Sequence, residues 1–162
     1  MTTRATLRWH GGNRFVGLGA SGPPVLINFA AGEALPVTGG AATPQAAGPW
    51  AGQTGTSADP APGGGPKPTE LLLMATGACT GLDVISLLEK QRVTFSGLDI
   101  EVTGERAPDH PKYFTDIAVV YRLKAAPDAL PHLQRAAALS MEKYCSVGLS
   151  LRAKETWRCE IV

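Results

Sequence analysis

Near its middle the chain alternates apolar and polar residues with a period of two. Leu98, Ile100 and Val102 alternate with Asp99, Glu101 and Thr103, the pattern of a strand with one face in a core and one in water. A turn follows at Ala107-Pro108-Asp109-His110-Pro111. A second run, over about 112–124, then places Ile117, Val119, Tyr121 and Leu123 on one face, so the pair predicts a hairpin. Residues 153–162 alternate as well, with Glu155, Trp157, Cys159 and Ile161 on one side. Shorter strands are predicted over 3–9 and 14–17, around the turn signal Gly11-Gly12-Asn13, and over 25–29 after Gly22-Pro23-Pro24.

Two stretches read as helix. The first starts at Pro68-Thr69 with Glu70 in the first turn, where a carboxylate suits the helix dipole, and ends near 90–92 with Lys90 and Arg92. Between them, 71–88 carries one charge, Asp83, and its apolar residues point in nearly every direction. A membrane span of this length is marginal, and the flanking charges and internal Gly, Ser and Thr favour a core helix buried on most sides. The second helix, about 128–143, sets Leu130, Leu133, Ala137, Met141 and Tyr144 on one stripe, and 146–151 reads as one more short helix. Strands, a long helix, a hairpin, helices and a final strand make an α+β order with a mainly antiparallel sheet. One small sheet cannot cover a helix that is apolar all round, which predicts a second subunit and hence a dimer.

Residues 30–68 break the pattern. They hold nine Gly and seven Pro, only Glu33, Asp59 and Lys67 are charged, and apolar periodicity is absent. We read about 30–66 as a flexible insertion within a single domain spanning 1–162, with Trp50 as its one large anchor. At 162 residues and 44% hydrophobic content the chain supports one folded domain. Its net charge of +1 offers no basic excess for nucleic acid or an anionic membrane surface. The N-terminus has no apolar core of a secretion signal, so a cytoplasmic protein is expected.

The candidate chemistry lies with cysteine. Cys79, Cys145 and Cys159 form no CxxC, the histidines form no HxH or HxxxH, and neither a metal nor a cofactor motif is present. His10, His110 and His132 fall in or near turns and a helix start and read as surface residues. Cys79 sits mid-helix between Gly77 and Gly81. Each interior glycine costs about 1 kcal/mol relative to alanine, which calls for either a close approach of another segment or room for a substrate beside the sulfur. Cys145 lies at the N-terminal side of the predicted short helix, a setting that favours thiolate. Both fit two readings: small buried hydrophobes, or a redox pair in which one sulfur attacks and the other closes a disulfide. Cys159, in step with Trp157 and Ile161, reads as core. Asp83, four residues after Cys79, shares its helical face, and a carboxylate there opposes thiolate formation. Glu70 is nine residues before Cys79, about 13 Å along a helix, so the two cannot touch on one helix.

The run Pro68-Thr69-Glu70-Leu71-Leu72-Leu73-Met74-Ala75-Thr76-Gly77-Ala78-Cys79 and the later Met141-Glu142-Lys143-Tyr144-Cys145-Ser146-Val147 resemble the OsmC/Ohr family, in its OsmC-like branch. The likeness covers about 67–162 and, more loosely, the N-terminal strands. It implies an OsmC-like fold: an intertwined homodimer with two long central helices and sheets wrapped outside. It also implies a stress-response thiol peroxidase that reduces organic hydroperoxides with an external dithiol. On that pattern Cys79 is the peroxidatic cysteine, Cys145 the resolving one, and Glu70 the glutamate that holds an activating arginine. Residues 30–66 contain no Arg or Lys, and Arg4, Arg8, Arg14 and Arg106 all stand elsewhere than the family pattern sets that arginine. The alternative is a non-enzymatic member that holds a small apolar ligand at the dimer interface.

Overall fold

The computed structural model describes residues 2–20, 24–28 and 66–162. Six strands form one sheet: β1 (Thr2–Trp9), β2 (Phe15–Gly19), β3 (Val25–Ile27), β4 (Phe95–Arg106), β5 (Phe114–Ala125) and β6 (Lys154–Ile161). Their order across the sheet is β3-β2-β1-β4-β5-β6. Every pairing is antiparallel except β5 with β6, which run parallel. Parallel neighbours need a crossover, and the helix α2 (Leu130–Leu139) supplies it. The long helix α1 (Pro68–Lys90) lies against β1, β2 and β4. The α+β class and mainly antiparallel sheet read from the sequence are therefore observed. The segment at 30–66, apart from Pro66, lies outside the described residues, and Trp50 with it.

Register explains how the alternating strands make a core. Leu7 pairs with Ile100, Ile100 with Tyr121, and Tyr121 with Cys159, so one row of side chains runs across four strands. The next row joins Ala5, Val102, Val119 and Trp157. The helices bury these rows: Leu7, Ile100, Val102 and Tyr121 are at most 1% exposed. Alternate residues face the other way and carry an ionic ladder. Arg4 and Arg122 both bind Glu101, Arg122 reaches Glu160, and Arg8 pairs with Asp99. The two arginines hold Glu101 below the usual carboxylate range against the opposing effect of its burial.

The interior glycines of α1 explain its close seat. A Cβ on Gly77 would fall 2.4 Å from Leu7 Cδ1 and 2.9 Å from Val102 Cγ2. One on Gly81 would fall 2.7 Å from Ile100 Cδ1 and 2.8 Å from the Phe15 ring. Both glycines face the sheet, and at 100° per residue Cys79 points about 160° away from each. Of the two reasons a glycine could stand there, close approach is the one the structure shows.

After α2 the chain departs from the predicted uninterrupted helix. Ser140–Tyr144 form a single π turn, and the Cys145 amide donates to the Ser140 carbonyl at 2.8 Å. The widened turn moves Tyr144 off the apolar stripe to 47% exposure and turns Cys145 inward to 0%. The short helix predicted over 146–151 is a three-residue 3₁₀ turn, Gly148–Ser150.

Candidate functional site

Two elements bring two thiols together. Cys79 rides on α1, half-buried, on the side away from the sheet. Cys145 sits just beyond the π turn and is fully buried. Cys79 is one of the groups that raise the Cys145 thiol, which sets the two side chains in one neighbourhood. The electrostatics of Cys145 correct one expectation. Burial pushes its thiol up to about 12, and Cys79 and Glu155 push in the same direction, while the Gly148 amide, donating to Sγ at 3.3 Å, opposes them. A three-residue 3₁₀ turn supplies one N–H and little dipole, so the helix-terminus stabilisation expected at Cys145 loses to desolvation.

A buried polar chain ties the two cysteine-bearing elements to each other. Thr80, next to Cys79, places Oγ1 2.6 Å from Tyr121 Oη and 2.8 Å from Ser140 Oγ. The Ser140 hydroxyl donates to Asp83 Oδ2 at 2.8 Å. Asp83 accepts only, so the hydroxyls order from it outward: Ser140 donates to Asp83, Thr80 to Ser140, and Tyr121 to Thr80. Burial holds the Tyr121 phenol well above its ordinary range. Asp83 is thus a half-buried, hydrogen-bonded carboxylate tied to the π turn.

Glu70 is 3% exposed at the start of α1. Its Oε2 accepts the Lys67 amide at 2.9 Å and lies against Gly19, where a Cβ would come within 2.8 Å. Within one protomer the structure does not bring it to Cys79. Cys159 packs against the core, half-buried, and burial pushes its thiol up to about 12. His110 and His132 are exposed and His10 half-buried. Sequence reasoning missed Thr80, Ser140 and Tyr121 as site residues, and it placed Glu155 on a core-facing row without asking why a carboxylate stands there. That mismatch of residue and row was the available signal.

A family model for OsmC-like proteins matches residues 61–160. The chain belongs to the OsmC-like family. Protein YhfA of Escherichia coli K12 is 31% identical to this OsmC-like chain over 148 residues, 91% of the chain and 88% of YhfA. A hypothetical protein from Aquifex aeolicus is 34% identical with a TM-score of 0.52, over 60% of this chain and 76% of its own. An OsmC-like hydroperoxide resistance protein from Jannaschia sp. shares the fold, with a TM-score of 0.52 at 13% identity over 92% of this chain and 85% of its own.

The four arginines weighed from the sequence are engaged in the framework of this OsmC-like chain. Arg4 and Arg8 belong to the ionic ladder, Arg14 donates to the His10 carbonyl at 3.1 Å, and Arg106 donates to the Lys112 carbonyl at 2.7 Å. One face of α1 stays uncovered in the single chain. Leu72 and Ala75 are exposed, and Cys79, Leu82 and Ser86 half-buried, at steps of three and four residues. At the N-terminal end of that stripe Leu72 joins Tyr113, Phe114, Leu151 and Arg152 in lining a half-open cleft of about 420 Å³.

Proposed function

We propose that this protein is a homodimeric thiol peroxidase acting on apolar organic hydroperoxides. The observation that carries the reading is a half-exposed thiol on the open face of α1 near enough to a buried thiol beyond the π turn to raise its proton affinity. In the first step the Cys79 thiolate attacks the O–O bond. The sulfur takes one oxygen as a sulfenic acid, and the alkoxide that leaves takes up a proton to become the alcohol. In the second step the Cys145 sulfur displaces the hydroxyl from Cys79, forming the disulfide and releasing water. An external dithiol then reduces the disulfide and is itself oxidised. The hydroperoxide resistance protein that shares this fold supports the substrate class.

The Leu72–Ala75–Cys79–Leu82–Ser86 stripe supports the dimer. Its steps of three and four are those of a helix seam, and Cys79 lies on it, so a second copy packed there encloses the thiol in an apolar cleft. Glu70 is the third member of the proposed site. Buried two and a half turns from Cys79, it acts through a bridging cation or across the dimer. The chain is a single domain on this reading, with 30–66 as an insertion, and works in the cytoplasm.

A steady-state assay with tert-butyl or cumene hydroperoxide and a dithiol tests the function. Turnover well above that of Cys79→Ser is expected; equal rates for the two would remove the peroxidase. One observation favours a second reading, a non-enzymatic carrier of an apolar ligand: the cleft beside Leu72 is lined by neither cysteine. Native mass spectrometry showing a retained small molecule, with Cys79 slow to alkylate, would support that reading instead.

A further inference from the structure

Glu155 is a carboxylate on a row of strand β6 that otherwise holds Trp157, Cys159 and Ile161. Its Oε1 is buried and has no hydrogen-bond partner among the described residues. An unpaired buried polar atom is costly, so its retention needs a reason. The carboxylate lies against Gly148: a Cβ there would sit 2.9 Å from both Oε1 and Oε2. On the same glycine, the amide donates to Cys145 Sγ at 3.3 Å. The carboxylate and the second thiol of the proposed disulfide therefore flank one residue, and only a residue without a side chain lets the carboxylate come so near.

The second step of the proposed reaction needs a base at this place. A thiol near 12 is ionised in only about one molecule in 10⁵ at neutral pH. The Cys145 sulfur must lose its proton as it attacks Cys79. Glu155 is the carboxylate whose charge is felt at Cys145 and at Tyr121 on the neighbouring strand. Burial raises its own proton affinity, bringing donor and acceptor closer in strength.

Resting on the peroxidase reading, we infer that Glu155 is the proton acceptor for Cys145 when the disulfide closes. The proton leaves Cys145 Sγ for the Glu155 carboxylate, the S–S bond forms, and the S–O bond of the Cys79 sulfenic acid breaks. Glu155 then returns the proton to the departing hydroxide, which leaves as water, so the carboxylate is regenerated. When a dithiol attacks at Cys79, the carboxylate takes the proton of the attacking thiol and passes it to the Cys145 sulfur as the S–S bond breaks.

The test separates the two chemical steps. Sulfenic acid on Cys79 is captured with dimedone after tert-butyl hydroperoxide is added to Cys145→Ser. Disulfide closure is followed by loss of free thiols in wild type and in Glu155→Gln, both from pH 5 to 9. Glu155→Gln, carrying Cys145→Ser for the trapping measurement, is expected to form sulfenic acid at the parent rate. It should close the disulfide about 100-fold more slowly at pH 7. The closure rate of the variant should keep climbing with pH, whereas the wild-type rate levels off once the carboxyl is ionised. Closure within twofold of wild type, with the same pH profile, would overturn the inference while leaving the peroxidase standing. No trapped sulfenic acid in Cys145→Ser would overturn the peroxidase reading, and this inference with it. Should Glu155→Gln not fold, Glu155→Asp decides by the same readouts. Its carboxyl is withdrawn by one methylene and should slow closure alone, and unchanged closure would again reject the role.

Discussion

At the scale of single residues, two opposing effects meet at the α1 glycines. Replacing glycine with alanine inside a helix ordinarily adds about 1 kcal/mol of stability. At Gly77 the new methyl would overlap Leu7, which is fully buried and belongs to the packed core, and overpacking there costs about 1–3 kcal/mol. Gly77→Ala is therefore expected to lower unfolding stability in urea by up to about 2 kcal/mol, and Gly81→Ala to do the same. A gain for either would mean that the seat of α1 on the sheet is looser than described. The buried thiols give a second residue-scale prediction. Cys145 and Cys159 both keep their protons to about pH 12 in the folded chain, while an unfolded thiol ionises near 8.5. Between those values the folded state binds more protons, so stability is complete below about pH 8.5 and falls as pH rises. The loss is at most ~1.4 kcal/mol per pH unit for each thiol. Under reducing conditions, denaturation midpoints from pH 7 to 11 should fall, and Cys159→Ala should flatten the decline.

At the scale of elements, the π turn and the Thr80–Ser140–Asp83 chain act as one unit. The Ser140 carbonyl closes the turn on Cys145, and its hydroxyl fastens the turn to α1 beside Cys79. Ser140→Ala keeps the carbonyl but leaves Thr80 and Asp83 short of a partner, at about 1–3 kcal/mol. Lower stability, slower disulfide closure and near-normal sulfenic acid formation are expected, while Thr80→Ser, which keeps the hydroxyl, should behave as wild type. If Ser140→Ala closes the disulfide at the wild-type rate, the chain holds the fold together but does not set the approach of the sulfurs. None of this was visible in the sequence as a unit. Thr80 and Asp83 share a turn of α1, but Tyr121 and Ser140 are distant in order, and only the packing of α1 on the sheet and beside the π turn brings these oxygens within hydrogen-bond reach.

At the scale of the whole molecule, the proposed dimer rests on the open stripe on α1. A single chain leaves Leu71 42% and Leu72 36% exposed on a helix whose other side is the centre of the core. Sedimentation should give twice 16.9 kDa. Leu82→Glu, placing a charge on the stripe beside Cys79, should shift the species toward half that mass. Activity should fall along with the assembly, because the apolar enclosure of Cys79 is lost. A monomeric wild type with full turnover would leave the peroxidase chemistry standing without the shared cleft.

The sequence by itself determined the elements and the face each one buries. Period-two alternation in β4, β5 and β6 and the all-round apolar character of α1 are local consequences of how backbone geometry displays side chains. It also determined which sulfur atoms were candidates. What the tertiary structure alone decided was proximity: that Cys145 turns inward because one π turn shifts the helical register, that the α1 glycines serve the sheet, and that a carboxylate from the last strand comes to rest on Gly148 beside a thiol. Such contacts join residues distant in the chain, and their geometry depends on packing at the ångström scale, which no local pattern of polar and apolar residues encodes.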